Sequence, residues 1–160
     1  MRGVIRGNAG LLPDAGLMAK VRDRIVPFAG IILSMRAPIH PKGDPMPLLK
    51  LSITAHPDDA KKTVLLTSLS KALAQGIGKP EKYVMVTIDE CAASMSGTAG
   101  PAAFGEIKSI GGLGATVNKA LSAKICGLLA EHLGIAGERV YLNFIEVDAE
   151  NWGYNGGTFA

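Results

Sequence analysis

The chain states one pattern of apolar residues twice, and that repeat limits the fold more than any other feature. Met46-Pro47-Leu48-Leu49-Lys50-Leu51-Ser52-Ile53-Thr54 is an apolar run set off by the turn formers Asp44-Pro45, and it predicts a first strand. Pro57-Asp58-Asp59 then opens a helix, because proline fits a first turn and acids suit its unpaired N–H groups and dipole. Leu65, Leu66, Leu69, Leu73 and Ile77 recur at helical spacing, and Gly76, Gly78 and Pro80 stop the helix. Tyr83 to Ile88 predicts a second strand, apolar enough to be covered on both faces.

The order then returns. Ala103 to Ile110 predicts a third strand, Gly111, Gly112 and Gly114 a turn, and the residues from about Thr116 a second helix ending at Gly134. Its stripe is Val117, Leu121, Ile125, Leu128, Leu129 and Leu133. A fourth strand starts at Glu138-Arg139-Val140-Tyr141. Val140 follows Tyr83 by 57 residues, and the same offset sets Leu48 against Gly105 and Asp58 against Ala115. Two tandem β-α-β units of an α/β protein can share one four-stranded mixed sheet with both helices on a single face.

Such a sheet leaves its other face without helices. On the fourth strand Val140, Leu142 and Phe144 point toward the helices, and Tyr141, Asn143 and Ile145 point away. Polar groups mixed with apolar ones on an uncovered face predict an interface or pocket. Beyond this strand Trp152, Tyr154 and Phe159 flank Asn155-Gly156, a hairpin-turn pair, in a stretch too short to build its own core. These aromatics are expected to pack elsewhere, for instance on another subunit.

Residues 1–46 read as a separate basic leader. They hold seven Lys/Arg against Asp14, Asp23 and Asp44, which leaves 10 basic and 11 acidic residues for the rest of a chain with 17 and 14 in all. The alkaline isoelectric point thus belongs to the leader, and nucleic-acid binding by the 47–160 domain is unsupported. Lys20, Arg22 and Arg24 precede a short apolar run, Ile25 to Leu33, yet the run lies too far from the start for a secretory signal. The leader fits a disordered tail, a targeting segment or an over-extended start. No run reaches the ~18 apolar residues of a membrane span. Cys91 and Cys126 form no CxxC and no disulfide framework, which makes a reducing compartment the easier home.

Candidate chemistry starts at Met46-Pro47. A Met before a small residue can be removed, and a proline left at the N-terminus carries a basic secondary amine. As long as Met46 acylates it, the same nitrogen is an amide. Locally Pro47 reads equally as a proline opening a strand, Lys79 as a base near a helix C-terminus, and Tyr141 as a half-buried strand residue. Asn143 is harder to dismiss, because Asn is depleted in strands. His40, His56 and His132 have no metal-ligand spacing with one another or with the cysteines. Gly112-Leu113-Gly114 lacks the third glycine of a dinucleotide loop, since Val117 stands there, and reads as a turn whose amides face a pocket.

Taken together these residues resemble the macrophage migration inhibitory factor family, the tautomerase superfamily branch that includes D-dopachrome tautomerase and plant and algal homologues. The resemblance covers Met46 to Ala160. It is carried by Met46-Pro47, Gly78-Lys79-Pro80 with Tyr83, Ser109-Ile110-Gly111, Cys126 to Glu131, Arg139-Val140-Tyr141 with Asn143, and Asn155 with Thr158-Phe159-Ala160. It implies a tautomerase fold assembled as a homotrimer, with one cofactor-free, metal-free active site at each subunit interface. In that site Pro47 is the general acid/base, Lys79 binds a substrate carboxylate and Ile110 offers backbone contact. Tyr141 and Asn143 reach in from the neighbouring subunit, and Trp152, Tyr154 and Phe159 rim the pocket.

The implied reaction is keto–enol tautomerisation of a small aromatic keto acid, of phenylpyruvate or dopachrome type. The other implied role is that of a signalling trimer that binds a protein receptor or partner with little catalysis, above all if the leader stays attached. The resemblance places such a protein in the cytoplasm, with secretion by a non-signal route or organelle targeting by the leader left open. Two departures stand out. Ala102-Ala103-Phe104-Gly105 occupies the place of the animal factor's CxxC, which removes thiol–disulfide chemistry, and Trp152 and Tyr154 around Gly153 replace a single tryptophan.

Overall fold

The computed structural model describes residues 46–160, so the leader's expected roles lie outside the described residues. β1 (Leu48–Ile53), α1 (Asp59–Ile77), β2 (Met85–Glu90), β3 (Ala103–Ser109), α2 (Ala115–Leu133) and β4 (Val140–Glu146) follow in order. A hairpin of β5 (Gly153–Tyr154) and β6 (Gly157–Thr158) comes last. The sheet runs β2-β1-β3-β4, with β1 parallel to β2, antiparallel to β3, and β3 parallel to β4. Each β-α-β unit therefore supplies one parallel pair, and the units meet along β1 and β3. The expected tandem architecture is the observed one.

The repeat survives in detail. Both helices have 19 residues and both end on a left-handed glycine, Gly78 (φ 74°) and Gly134 (φ 67°). Asp58 caps α1 by accepting a 2.8 Å bond from the Lys61 N–H. Gly76 is inside the last turn of α1 and does not stop it. A Cβ there would overlap the Leu121 side chain, so this glycine lets α2 come close. Each second strand begins later than its apolar run suggests, because Glu81–Tyr83 and Gly137–Arg139 form single 3-10 turns before β2 and β4.

Leu65, Leu69, Leu73 and Ile77 of α1 meet Leu121, Ile125, Leu128 and Leu129 of α2 over Leu49, Leu51, Ile53 and Ile107 of the sheet, all buried. Each such side chain contributes about 1.5–3 kcal/mol by leaving water. The opposite face is bare of helices in the single chain. β2 is an edge strand covered on one face only, and Met85 is 60% exposed, which corrects the expectation of cover on both faces. The tail turns at Asn155 (φ 47°) and Gly156 (φ 83°), as the Asn-Gly pair predicts. Part of its apolar area is buried locally, since Tyr154 stacks on Phe159 with ring centroids 5.7 Å apart.

Candidate active site

Pro47 immediately precedes β1 and is fully buried, and its carbonyl accepts a 3.0 Å bond from the Met85 N–H. Leu48 pairs with Lys108, so one further step of the antiparallel register sets Pro47 beside Ser109, the last residue of β3. Ser109 is fully buried although it is polar. Its hydroxyl donates to the Gly111 carbonyl at 2.7 Å, and that bond bends the chain straight after the strand. Gly111 (φ 69°) and Gly112 (φ 81°) follow in the left-handed region that glycine tolerates.

The glycine turn is packed on the end of α1. A Cβ at Gly112 would lie 2.7 Å from Ile77 Cγ2, so only hydrogen fits between the turn and Ile77, and it would lie 3.9 Å from Lys79 Cε, an ordinary contact. The Lys79 N–H donates to the Ala74 carbonyl at 2.8 Å, fixing the lysine just past the left-handed Gly78. Among the described residues no carboxylate forms an ion pair with Lys79. An unmatched ammonium beside a glycine turn suits an anionic group of a ligand better than a structural role.

Pro47, Lys79 and Ile110 thus come to one end of the sheet. The tail starts from the same end, because the Val147 N–H donates to the Ser109 carbonyl at 3.0 Å. Trp152 and Phe159 are half-buried in that tail and Tyr154 is exposed. Tyr141 and Asn143 are not brought to this end. Tyr141 pairs with Phe104 and Asn143 with Glu106, whereas Ser109 pairs with Glu146. Five residue steps of strand run from Tyr141 to Glu146, about 16 Å at ~3.3 Å per step. Tyr141 is 65% exposed on the helix-free face, as the alternation predicts.

Sequence reasoning missed two contributors to the Pro47 end, the buried Ser109 hydroxyl and the close approach at Gly112. The signal was a lone serine at the end of an apolar strand with Gly-Gly two residues on. At the other end a cavity of about 240 Å³ is walled by Met95, Phe104 and Tyr141 among others, and an open one of about 650 Å³ includes His56, Glu90 and Cys91. Among the described residues no group of three or more His, Cys, Asp or Glu is arranged to hold a metal ion. Cys126 is half-buried on α2, and burial pushes its thiol pKa up.

Comparison with known proteins agrees with this fold. The family profile described as macrophage migration inhibitory factor (MIF) matches residues 46–160. The chain belongs to the macrophage migration inhibitory factor family. It is 41% identical to a homologue from Trichuris trichiura over 115 residues, 71% of this chain and 100% of that protein. The factor of Rattus norvegicus is 41% identical over 96 residues, 59% of this chain and 84% of the relative. Among solved structures, the factor-like protein of Entamoeba histolytica superposes with a TM-score of 0.69 at 34% identity, covering 71% of this chain and 99% of that one. The Prochlorococcus marinus homologue gives 0.67 at 36% identity, with the same coverage. A structure solved after inactivation by 2-oxo-3-pentynoate gives 0.64 at 25% identity, covering 70% of this chain and 95% of that one. Among the described residues no helix is long and apolar enough to cross a membrane.

Proposed function

We propose that the 47–160 domain is a keto–enol tautomerase for phenylpyruvate-type or dopachrome-type substrates, assembled as a homotrimer and active when Pro47 is the first residue. The observation that carries this reading is the convergence of a buried Pro47, the unpaired Lys79 and the glycine turn at one end of the sheet. Tautomerisation moves a proton from a carbon beside a carbonyl to the other end of the enol system, so one group that takes and returns a proton suffices. A free α-amine has a pKa of about 7.7–8.0, and burial with a cation nearby lowers it, leaving the amine neutral and basic at working pH. Lys79 holds the substrate carboxylate, and Ile110 presents its backbone to the bound acid.

Tyr141 and Asn143 serve the site of a neighbouring subunit in this reading, which the run of about 16 Å between Tyr141 and the Pro47 end of the sheet supports. Trp152, Tyr154 and Phe159 rim the pocket. The neighbour inactivated by a 2-keto acid analogue supports keto-acid chemistry on this fold. The second reading, a protein-binding trimer without catalysis, draws support from the exposed Met85, Phe104 and Tyr141 on the helix-free face and from the amide that Met46 makes of the Pro47 nitrogen.

Two forms of the protein test the proposal. The form beginning at Pro47 turns over phenylpyruvate, with a rate that falls as pH drops through the amine pKa. The 160-residue form, verified intact by mass spectrometry, is slower by at least about a hundredfold, the usual contribution of a general base. Equal rates would remove Pro47 as the base, and a Pro47 form that is a monomer at micromolar concentration in light scattering would remove the shared site.

A further inference from the structure

The twelve residues between β2 and β3 turn through Ser96, Gly97 and Gly100, all at positive φ, and such a loop needs anchors to hold one shape. One anchor is Thr54, just past β1. Its hydroxyl accepts from the Ala102 N–H at 2.8 Å and lies 3.1 Å from the Gly100 carbonyl. The other is Arg139, at the entrance to β4. Its Nε donates to the Pro101 carbonyl at 2.9 Å, Nη1 to the Met95 carbonyl at 3.3 Å and the Thr98 hydroxyl at 3.2 Å, and Nη2 to the Thr98 carbonyl at 3.4 Å. Among the described residues no carboxylate forms an ion pair with it. The guanidinium is committed to the loop, and its planar fork reaches three separated carbonyls as a lysine ammonium cannot.

What the loop does once anchored follows from its neighbours. Met95, whose carbonyl Arg139 holds, walls the ~240 Å³ cavity together with Phe104 and Tyr141, and Phe104 pairs with Tyr141 across β3 and β4. Arg139 stands two residues before Tyr141 on the same chain. One side chain therefore couples the backbone of the loop to the strand that presents Tyr141.

We propose that Arg139 is a positioning residue for the Tyr141 half of the site, setting the place of Met95 and through it the attitude of the Tyr141 ring. Its effect on turnover rests on the proposed function, in which Tyr141 contacts substrate bound at another subunit's Pro47. Arg139 touches neither Pro47 nor substrate. Its loss therefore acts on binding and leaves the proton transfer alone.

The test uses the Pro47 form carrying Arg139→Ala or Arg139→Lys, with hydrogen exchange, Tyr ring resonances and steady-state kinetics measured on each. Arg139→Ala is expected to speed exchange at the Met95 and Thr98 amides, which bond each other's carbonyls at 3.0 and 3.1 Å, and to leave β1 amides unchanged. The Tyr141 ring resonances shift. KM for phenylpyruvate rises roughly tenfold, the scale of one lost contact, with kcat within about twofold and the pH profile unmoved. Arg139→Lys recovers part of the loss, and millimolar guanidinium ion restores the alanine variant. Unchanged loop exchange with unchanged Tyr141 resonances overturns the proposal, as does a kcat collapse without a KM change. A freed loop and shifted Tyr141 resonances in Arg139→Ala, together with a wild-type Pro47 form that shows no turnover, uphold the positioning and overturn only the proposed reaction.

Discussion

After β1 the chain enters α1 through Thr54–Asp58, and after β3 it enters α2 through Ile110–Gly114, two turns at equivalent places in the repeat. The first is built from side chains. His56 Nδ1 lies 2.6 Å from Glu90 Oε2, Lys62 Nζ lies 2.9 Å from Glu90 Oε1, and the Asp58 carboxylate caps the helix. The second is built from backbone. Gly114 receives no side-chain cap for its helix, and its N–H instead donates to Asn118 Oδ1 at 3.2 Å. A turn of charged side chains ties the start of α1 to the end of β2, whereas a turn of glycines lets main chain approach Lys79. The two halves share a backbone plan and differ in what fills the turn, charged side chains in one and main chain in the other.

Filling the glycine turn is the strongest way to break that contrast. Gly112→Val puts a β-branched residue at a positive φ, with its Cβ 2.7 Å from Ile77 Cγ2. A loss of about 3 kcal/mol is expected from strain and overpacking together. Urea denaturation measures it, and a midpoint within error of wild type would mean that the turn has slack the packing denies. Next in size, Lys79→Ala raises KM for a carboxylate substrate about tenfold with a smaller fall in kcat, because a contact remote from the moving proton is felt in ground and transition state alike. An unchanged KM with a collapsed kcat would assign Lys79 to the chemistry.

The same contrast explains what was legible in the sequence. The helices, the two β-α-β units, their order and the Asn155-Gly156 turn all follow from spacing and turn chemistry, which act over a few residues. Strand starts were missed by two residues at β2 and β4, because Val84 and Arg139 close 3-10 bonds to Glu81 and Ala136 that periodicity does not register. Pro47 was singled out from the Met46-Pro47 pair, and its role and those of Lys79 and Ile110 were taken from resemblance. Their meeting depends on the β1–β3 register and on a missing Cβ at Gly112, long-range facts that no local pattern encodes. The Arg139 anchor was hidden for the same reason, since its partners lie 38 to 44 residues away.

In the charged turn, Asp58→Ala removes the cap of α1 and is expected to cost about 1 kcal/mol, the usual worth of an N-cap carboxylate. The same denaturation series reads it. A cost equal to that of Gly112→Val would erase the distinction between a turn that tolerates repair and one that does not, since water can replace a lost cap on an exposed helix end but cannot make space for a methyl group.

The smallest effect, and the sharpest in sign, belongs to Glu90. Its hydrogen bonds from His56 and then Lys62 hold its carboxyl below the ordinary value of 4.5, and the same contact with Glu90 raises Lys62 above 10.5. A carboxylate whose folded pKa is depressed contributes stability that is present above its unfolded pKa and is lost as pH falls through the folded one. A lysine with a raised pKa contributes stability that is complete below its unfolded value and is lost as pH climbs through the folded one. Both contributions are therefore intact between about pH 5 and pH 10. All three partners are solvent-exposed to some degree, so salt weakens the effect. Glu90→Gln is expected to be slightly less stable than wild type across that window. The two proteins converge as pH falls through the depressed pKa of the native carboxylate. Denaturation midpoints in low salt at pH 7 and along an acid series below pH 4.5 decide the matter. A difference between the proteins that persists undiminished in acid would mean that Glu90 acts through packing against His56 and not through its charge.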